Sequence, residues 1–121
     1  MKVKFQADND LDRAIVHGVV RRRATVDFRS QPMDAVDDLT VLHLAAQESR
    51  ILVSHDVSSM PAAFAQYRRT SHSPGVLLVP QTWPLADAIE QLVLIWELTE
   101  AGEWVDRICY LPTLSDFRVR G

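Results

Sequence analysis

The chain has one cysteine, Cys109, and only two lysines, Lys2 and Lys4, and each scarcity removes a class of function. A lone thiol excludes an internal disulfide and a Cys-based zinc site; it fits a reducing compartment and reads as an inert strand residue. Glycine is scarce too, with four residues, and there is no Gly-rich phosphate loop, nucleophile elbow or dinucleotide fingerprint. No apolar run approaches the roughly 18 residues that span a bilayer, and Met1 to Ala7 lacks the apolar core of a signal peptide. A cytoplasmic protein with no membrane partner is therefore expected. A surplus of positive charge is also missing. The net charge is −3 over 121 residues, which argues against coating nucleic acid by electrostatics alone.

What is present is an ordinary globular composition, 47% hydrophobic and 24% charged, in a chain long enough for one core and one domain, residues 1–121. Its hydrophobic period alternates. Val3 to Ala7 reads as a strand and Leu11 to Arg23 as a helix, followed by a short strand at Ala24 to Phe28 and a loop at Ser30-Gln31-Pro32. Val36 to Ser49 is helical, and Ile51-Leu52-Val53 is apolar on both faces, as a strand inside a parallel sheet is. A helix from Pro61 to Arg69, a strand at Val76 to Val79, a long helix from Pro84 to Ala101 stopped by Gly102, and a strand from Val105 to Leu111 complete the alternation. The pattern predicts an α/β fold, a three-layer α/β/α sandwich with a mostly parallel central sheet of about five strands. Lys4 and Gln6 fit poorly in a central first strand, so one side of it is expected to be partly open. The long helix is apolar around much of its circumference, which predicts a homodimer contact.

Acidic residues recur where a strand-like run meets a helix-like one, at Asp8-Asn9-Asp10, at Asp37-Asp38 and at Asp56. Turns leaving the carboxyl ends of parallel strands lie along one edge, so carboxylates distant in sequence converge there. Singly, each is most simply a helix N-cap. Together they repel unless a proton or cation sits between them, and carboxylate oxygens suit Mg²⁺ or Mn²⁺.

In order and context the three motifs resemble the PIN-like nucleases, specifically the short bacterial PIN-like proteins found beside antitoxin-like genes. The resemblance covers about Lys2 to Leu111. It is carried by a strand running into Asp8-Asn9-Asp10-Leu11, by Asp37-Asp38-Leu39-Thr40-Val41-Leu42 before an alanine-rich helix, and by a strand ending in Ser54-His55-Asp56. Asn9 stands where that family usually has Glu, and Ser58-Ser59-Met60 lacks the acid and aromatic that commonly follow the third motif. The resemblance implies a PIN-like fold and an endoribonuclease, the toxin of a toxin–antitoxin pair, with RNA as substrate and an antitoxin protein as partner. It assigns Asp8, Asp38 and Asp56 to catalysis and to Mg²⁺ or Mn²⁺, with Asp10 as a further acid. Ser54 is expected to orient the Asp56 carboxylate, and His55 and Asn9 to support the site.

Arg13, Arg22, Arg68 and Arg69 are candidates for holding a phosphate backbone, against the alternative that arginines near helix C-termini simply complement the macrodipole. His17, His43 and His72 lack metal-ligand spacing, and Trp83, Trp96 and Trp104 read as core or dimer anchors rather than stacking platforms. Two other functions compete. One is a non-catalytic PIN-like interaction module. The other is a phosphoacceptor receiver domain using Asp56, which would need a lysine at the end of the fifth strand that this chain does not have.

Overall fold

The computed structural model describes residues 1–33 and 37–111. In chain order the elements are β1 (Phe5–Ala7), α1 (Arg13–Arg22), β2 (Phe28–Arg29), α2 (Asp38–Gln47), β3 (Ile51–Ser54), α3 (Met60–Arg68), β4 (Val76–Leu78), α4 (Leu85–Leu98), a 3₁₀ turn (Ala101–Trp104) and β5 (Ile108–Tyr110). The five strands form one sheet in the order β2-β1-β3-β4-β5, parallel throughout. Helices cover both faces. The expected three-layer α/β/α sandwich is therefore what the chain forms.

Side-chain alternation sorts the core into two halves. Phe5, Ala7, Ile51, Val53, Leu77 and Val79 point toward α1 and α4, whereas Leu52, Val76 and Leu78 point toward α2 and α3. α4 lies against α1, where a Cβ at Gly18 would overlap Ile89 Cδ1. The absence of a side chain there lets the two helices close. This pairing has a topological consequence. The crossovers through α1, α2 and α3 share one hand, but α4 connects β4 to β5 on the α1 face and so crosses with the opposite hand, against the strong preference for one hand.

Much of the apolar breadth of α4, which suggested a homodimer, packs within the chain, while Leu85 and Leu98 stay exposed. Leu92, Val93 and Ile95 are buried, Ile89, Leu94 and Trp96 pack against the same core, and the Lys2 ammonium lies 4.2 Å from the centre of the Trp96 ring. Gln6 is also buried rather than open to solvent, because its Nε2 donates to Ala7 O at 2.9 Å and to Arg29 O at 3.4 Å. A polar side chain is tolerated in the central strand because it is hydrogen-bonded.

Several boundaries move for local reasons. α1 begins at Arg13 because Asp12 is its N-cap, accepting from Ala14 N, and α2 begins at Asp38 because Asp37 caps it through Thr40 N. The expected start of that helix at Val36 lies outside the described residues. The second strand shrinks to Phe28–Arg29, since Val26 N turns back to Arg23 O. α4 ends earlier than Ala101 because Thr99 Oγ1 donates to Ile95 O and accepts from Trp104 Nε1, and Gly102 falls inside the 3₁₀ turn. Cys109 is half-buried on β5 and unpaired. Among the described residues, no helix is long and apolar enough to cross a membrane.

Candidate functional site

In this strand order the crossovers leave β1 in opposite directions, so a crevice opens between the carboxyl ends of β1 and β3, the usual ligand position in a doubly wound sheet. Asp8 follows β1 and Asp56 follows β3, one on each side of the crevice. Backbone pairing fixes the spacing: Asp8 N donates to Val53 O at 2.9 Å and Val79 N to Ser54 O at 2.8 Å.

Two serines tie the acids together. Fully buried Ser54 donates from Oγ to Asp8 Oδ2 at 2.7 Å and accepts from Asp56 N at 3.0 Å. Ser54 therefore orients the Asp8 carboxylate and the Asp56 amide, rather than the Asp56 carboxylate as expected. Ser59 Oγ contacts Asp38 Oδ2 at 2.7 Å and also Asp56 Oδ2. A hydroxyl carries a single proton and can donate to only one of these carboxylates at a time. Ser59 thus links the start of α2 to the turn after β3, and α2 contributes to the site as β1 and β3 do.

Their electrostatics diverge. Burial raises the Asp8 carboxyl above its ordinary value, the Asp10 and Asp38 charges add to this, and hydrogen bonds from Ser54 and Asn9 N oppose it. Asp56 is lowered, first by the Ser59 hydroxyl and amide and then by Ser58. Asp37, the α2 cap, is lowered by the Thr40 amide and hydroxyl. All three aspartates are held by neutral donors. Among the described residues, every ion pair lies elsewhere and none includes Asp8, Asp10, Asp12, Asp37, Asp38 or Asp56.

Asn9 and His55 act as braces. Asn9 Oδ1 accepts from Met33 N at 2.7 Å and its Nδ2 donates to Met33 O at 3.0 Å, pinning the loop after β2 against the β1 turn. His55 Nδ1 lies 2.8 Å from Val79 O, and its Nε2 accepts from Asp12 N at 3.2 Å. A carbonyl on one nitrogen and an amide N–H on the other select the neutral imidazole with its proton on Nδ1. His55 therefore joins the ends of β1, β3 and β4.

The arginines do not converge. Arg13 opens α1 at the acidic edge, but Arg22 closes α1 and Arg68 and Arg69 close α3, at the other edge of the sheet. Arg68 is about 13 Å along α3 from its Asp56 end. Its Nε pairs with Asp106 Oδ1 at 3.1 Å and its Nη1 donates to Ser71 O. Helix polarity therefore places three of the four expected phosphate contacts at the wrong end of the molecule. Sequence reasoning also passed over Ser59, whose spacing from Asp56 marks a cap but whose contact with Asp38 is tertiary.

Comparison of the chain with protein-family models, with curated proteins and with solved structures finds no match.

Proposed function

We propose that the acidic edge binds Mg²⁺ or Mn²⁺ through Asp8, Asp38 and Asp56 and hydrolyses RNA phosphodiesters, acting as an endoribonuclease toxin under the control of an antitoxin protein. One observation carries the reading: the carboxylates at the switch point are joined by Ser54 and Ser59 and pair with no cation among the described residues. Their oxygens are hard donors of the kind such ions take. Among the described residues no three acids or imidazoles stand ready as a closed ligand group. On this reading a bound ion takes the place of the Ser59 contact between Asp38 and Asp56.

A bound divalent ion would supply an activated water and neutralise charge developing on the phosphate. The chain's own part is positional. Ser54 sets the distance between the β1 and β3 turns, Asp38 and Asp56 shed their shared hydroxyl contact, and Arg13 offers a cation to the flanking phosphate backbone. Asp10, exposed in the same turn, serves as an outer acid. A single-stranded RNA cleavage assay with Mn²⁺, with EDTA and with Asp38→Asn tests the proposal. Cleavage that needs Mn²⁺ and is lost in the variant is expected, and cleavage indifferent to both would refute it.

A non-catalytic module is the second reading, favoured by serine hydroxyls that already satisfy the carboxylates. It predicts no Mn²⁺ uptake at millimolar concentration. A receiver domain fits the strand order and the place of Asp56, but Lys2 and Lys4 precede β1 at the opposite edge, far from any phosphoryl group on Asp56.

A further inference from the structure

The opposite-hand crossover places the β4–α4 loop beside the turn after β1, and a cleft opens between them. It has two adjoining compartments of about 540 and 550 Å³, which share Asp10, His55 and Gln81. The nearer one reaches Asp56 and Ser58. The farther one is walled by Trp83 and Pro80. Each is within the size range of small-ligand sites.

The farther wall is a hydrogen-bonded turn that carries polar groups. Trp83 is half-buried, packs against the core and is anchored by its amide to Pro80 O at 3.1 Å. Its indole N–H and the Gln81 amide make no hydrogen bond among the described residues. The Val79 carbonyl and the Asp12 amide hold the shared His55 in one orientation. An aromatic face with free donors, set in a cleft that continues to the acidic crevice, matches a planar heteroaromatic group carried next to a phosphate.

We infer that the Trp83 compartment is a nucleobase subsite, in which an unpaired base adjoining the scissile phosphodiester stacks on Trp83. This rests on the phosphodiesterase reading above and adds a base contact to it: an unpaired base is favoured, since stacking here then costs no opening of a helix. Asp10, the outer acid of the same turn, is on the shared wall and makes no ion pair among the described residues. It selects bases with an exocyclic amine, so cytosine is preferred over uracil.

The test is fluorescence anisotropy of labelled eight-nucleotide oligocytidylate and oligouridylate with the full chain in Ca²⁺, with Mn²⁺ calorimetry on the same preparations. Trp83→Leu should bind oligocytidylate about 5- to 100-fold more weakly while taking up Mn²⁺ as the wild type does, and Trp83→Phe should restore most of the affinity. Should Trp83→Leu fail to fold, Gln81→Ala, altered at an exposed position, should lose about 2- to 10-fold. Wild-type affinity in the folded Trp83 variant or in Gln81→Ala, or equal binding of the two oligonucleotides, would overturn the subsite and leave the metal site standing. A wild type that binds neither Mn²⁺ nor RNA would overturn both.

Discussion

Asp56 and Asp106 are both half-buried turn residues held below the ordinary carboxylate range, but their surroundings differ. Asp106 is lowered by the Ser73 amide, then by His72 and by the charge of Arg68. Asp56 is lowered by Ser59 and Ser58, which are neutral donors, against the opposing effect of burial. The contrast extends along both edges of the sheet. At the amino edge Arg50 bridges Asp27 at 2.7 Å and Glu48 at 3.3 Å, Arg23 meets Glu97 at 2.6 Å, and the terminal ammonium meets Glu100 at 2.9 Å. At the carboxyl edge, among the described residues, the acids that come together through the topology are held by hydroxyls and amides. Among the described residues several acids at the amino edge are paired with cations of the chain, whereas the acids at the carboxyl edge have no such pair.

The largest effect that would break this comparison is in activity. Asp8→Asn or Asp56→Asn should lower metal-dependent RNA cleavage by more than about 100-fold, while Asp106→Asn should leave it unchanged. Equal losses at both edges would show that the difference is structural only. Ser54→Ala comes next. It should destabilise the fold by about 1–3 kcal/mol in a denaturant titration, because a buried hydroxyl that serves Asp8 and Asp56 is lost, and it should weaken Mn²⁺ binding by roughly 10- to 100-fold.

A smaller effect has an unusual sign. Because the folded Asp8 carboxyl is raised above its ordinary value of 3.8, its favourable contribution to stability is complete below that value and is lost as pH rises through the folded value. Asp8→Asn should therefore melt above the wild type at neutral pH without divalent metal, and the gap should close below about pH 4. Asp56 behaves oppositely: its contribution is present above 3.8 and is lost as pH falls through its lowered value. A wild type that melts higher than Asp8→Asn at neutral pH would contradict the burial account. The smallest effect is in salt. Glu100 is lowered by the hydrogen bond and charge of the N-terminus, so 1 M NaCl should move its NMR titration back toward normal, while Asp37, held by Thr40, should barely move.

Much of the fold was legible because the strong signals were local. The apolar runs Ile51–Val53 and Val76–Val79 and the alternation with amphipathic stretches led to the parallel sandwich. The side taken by α4 was not legible. It depends on Ile89 meeting Gly18, a contact that periodicity does not encode. The acids Asp8, Asp38 and Asp56 could be read as turn positions after strands or before a helix, and the topology brings them to one edge. Ser59 and the Trp83 cleft could not, since both arise from tertiary approach. The arginines were misplaced because their clustering in sequence says nothing about helix direction. Arg22, Arg68 and Arg69 follow the macrodipole to the amino edge.

The most direct test of an edge left open for a cation is Mn²⁺ calorimetry at neutral pH on the wild type, Asp56→Asn and Asp106→Asn. Saturable binding that is lost in Asp56→Asn and kept in Asp106→Asn is the expected result. No binding by the wild type at millimolar Mn²⁺, or equal binding by all three proteins, would contradict it.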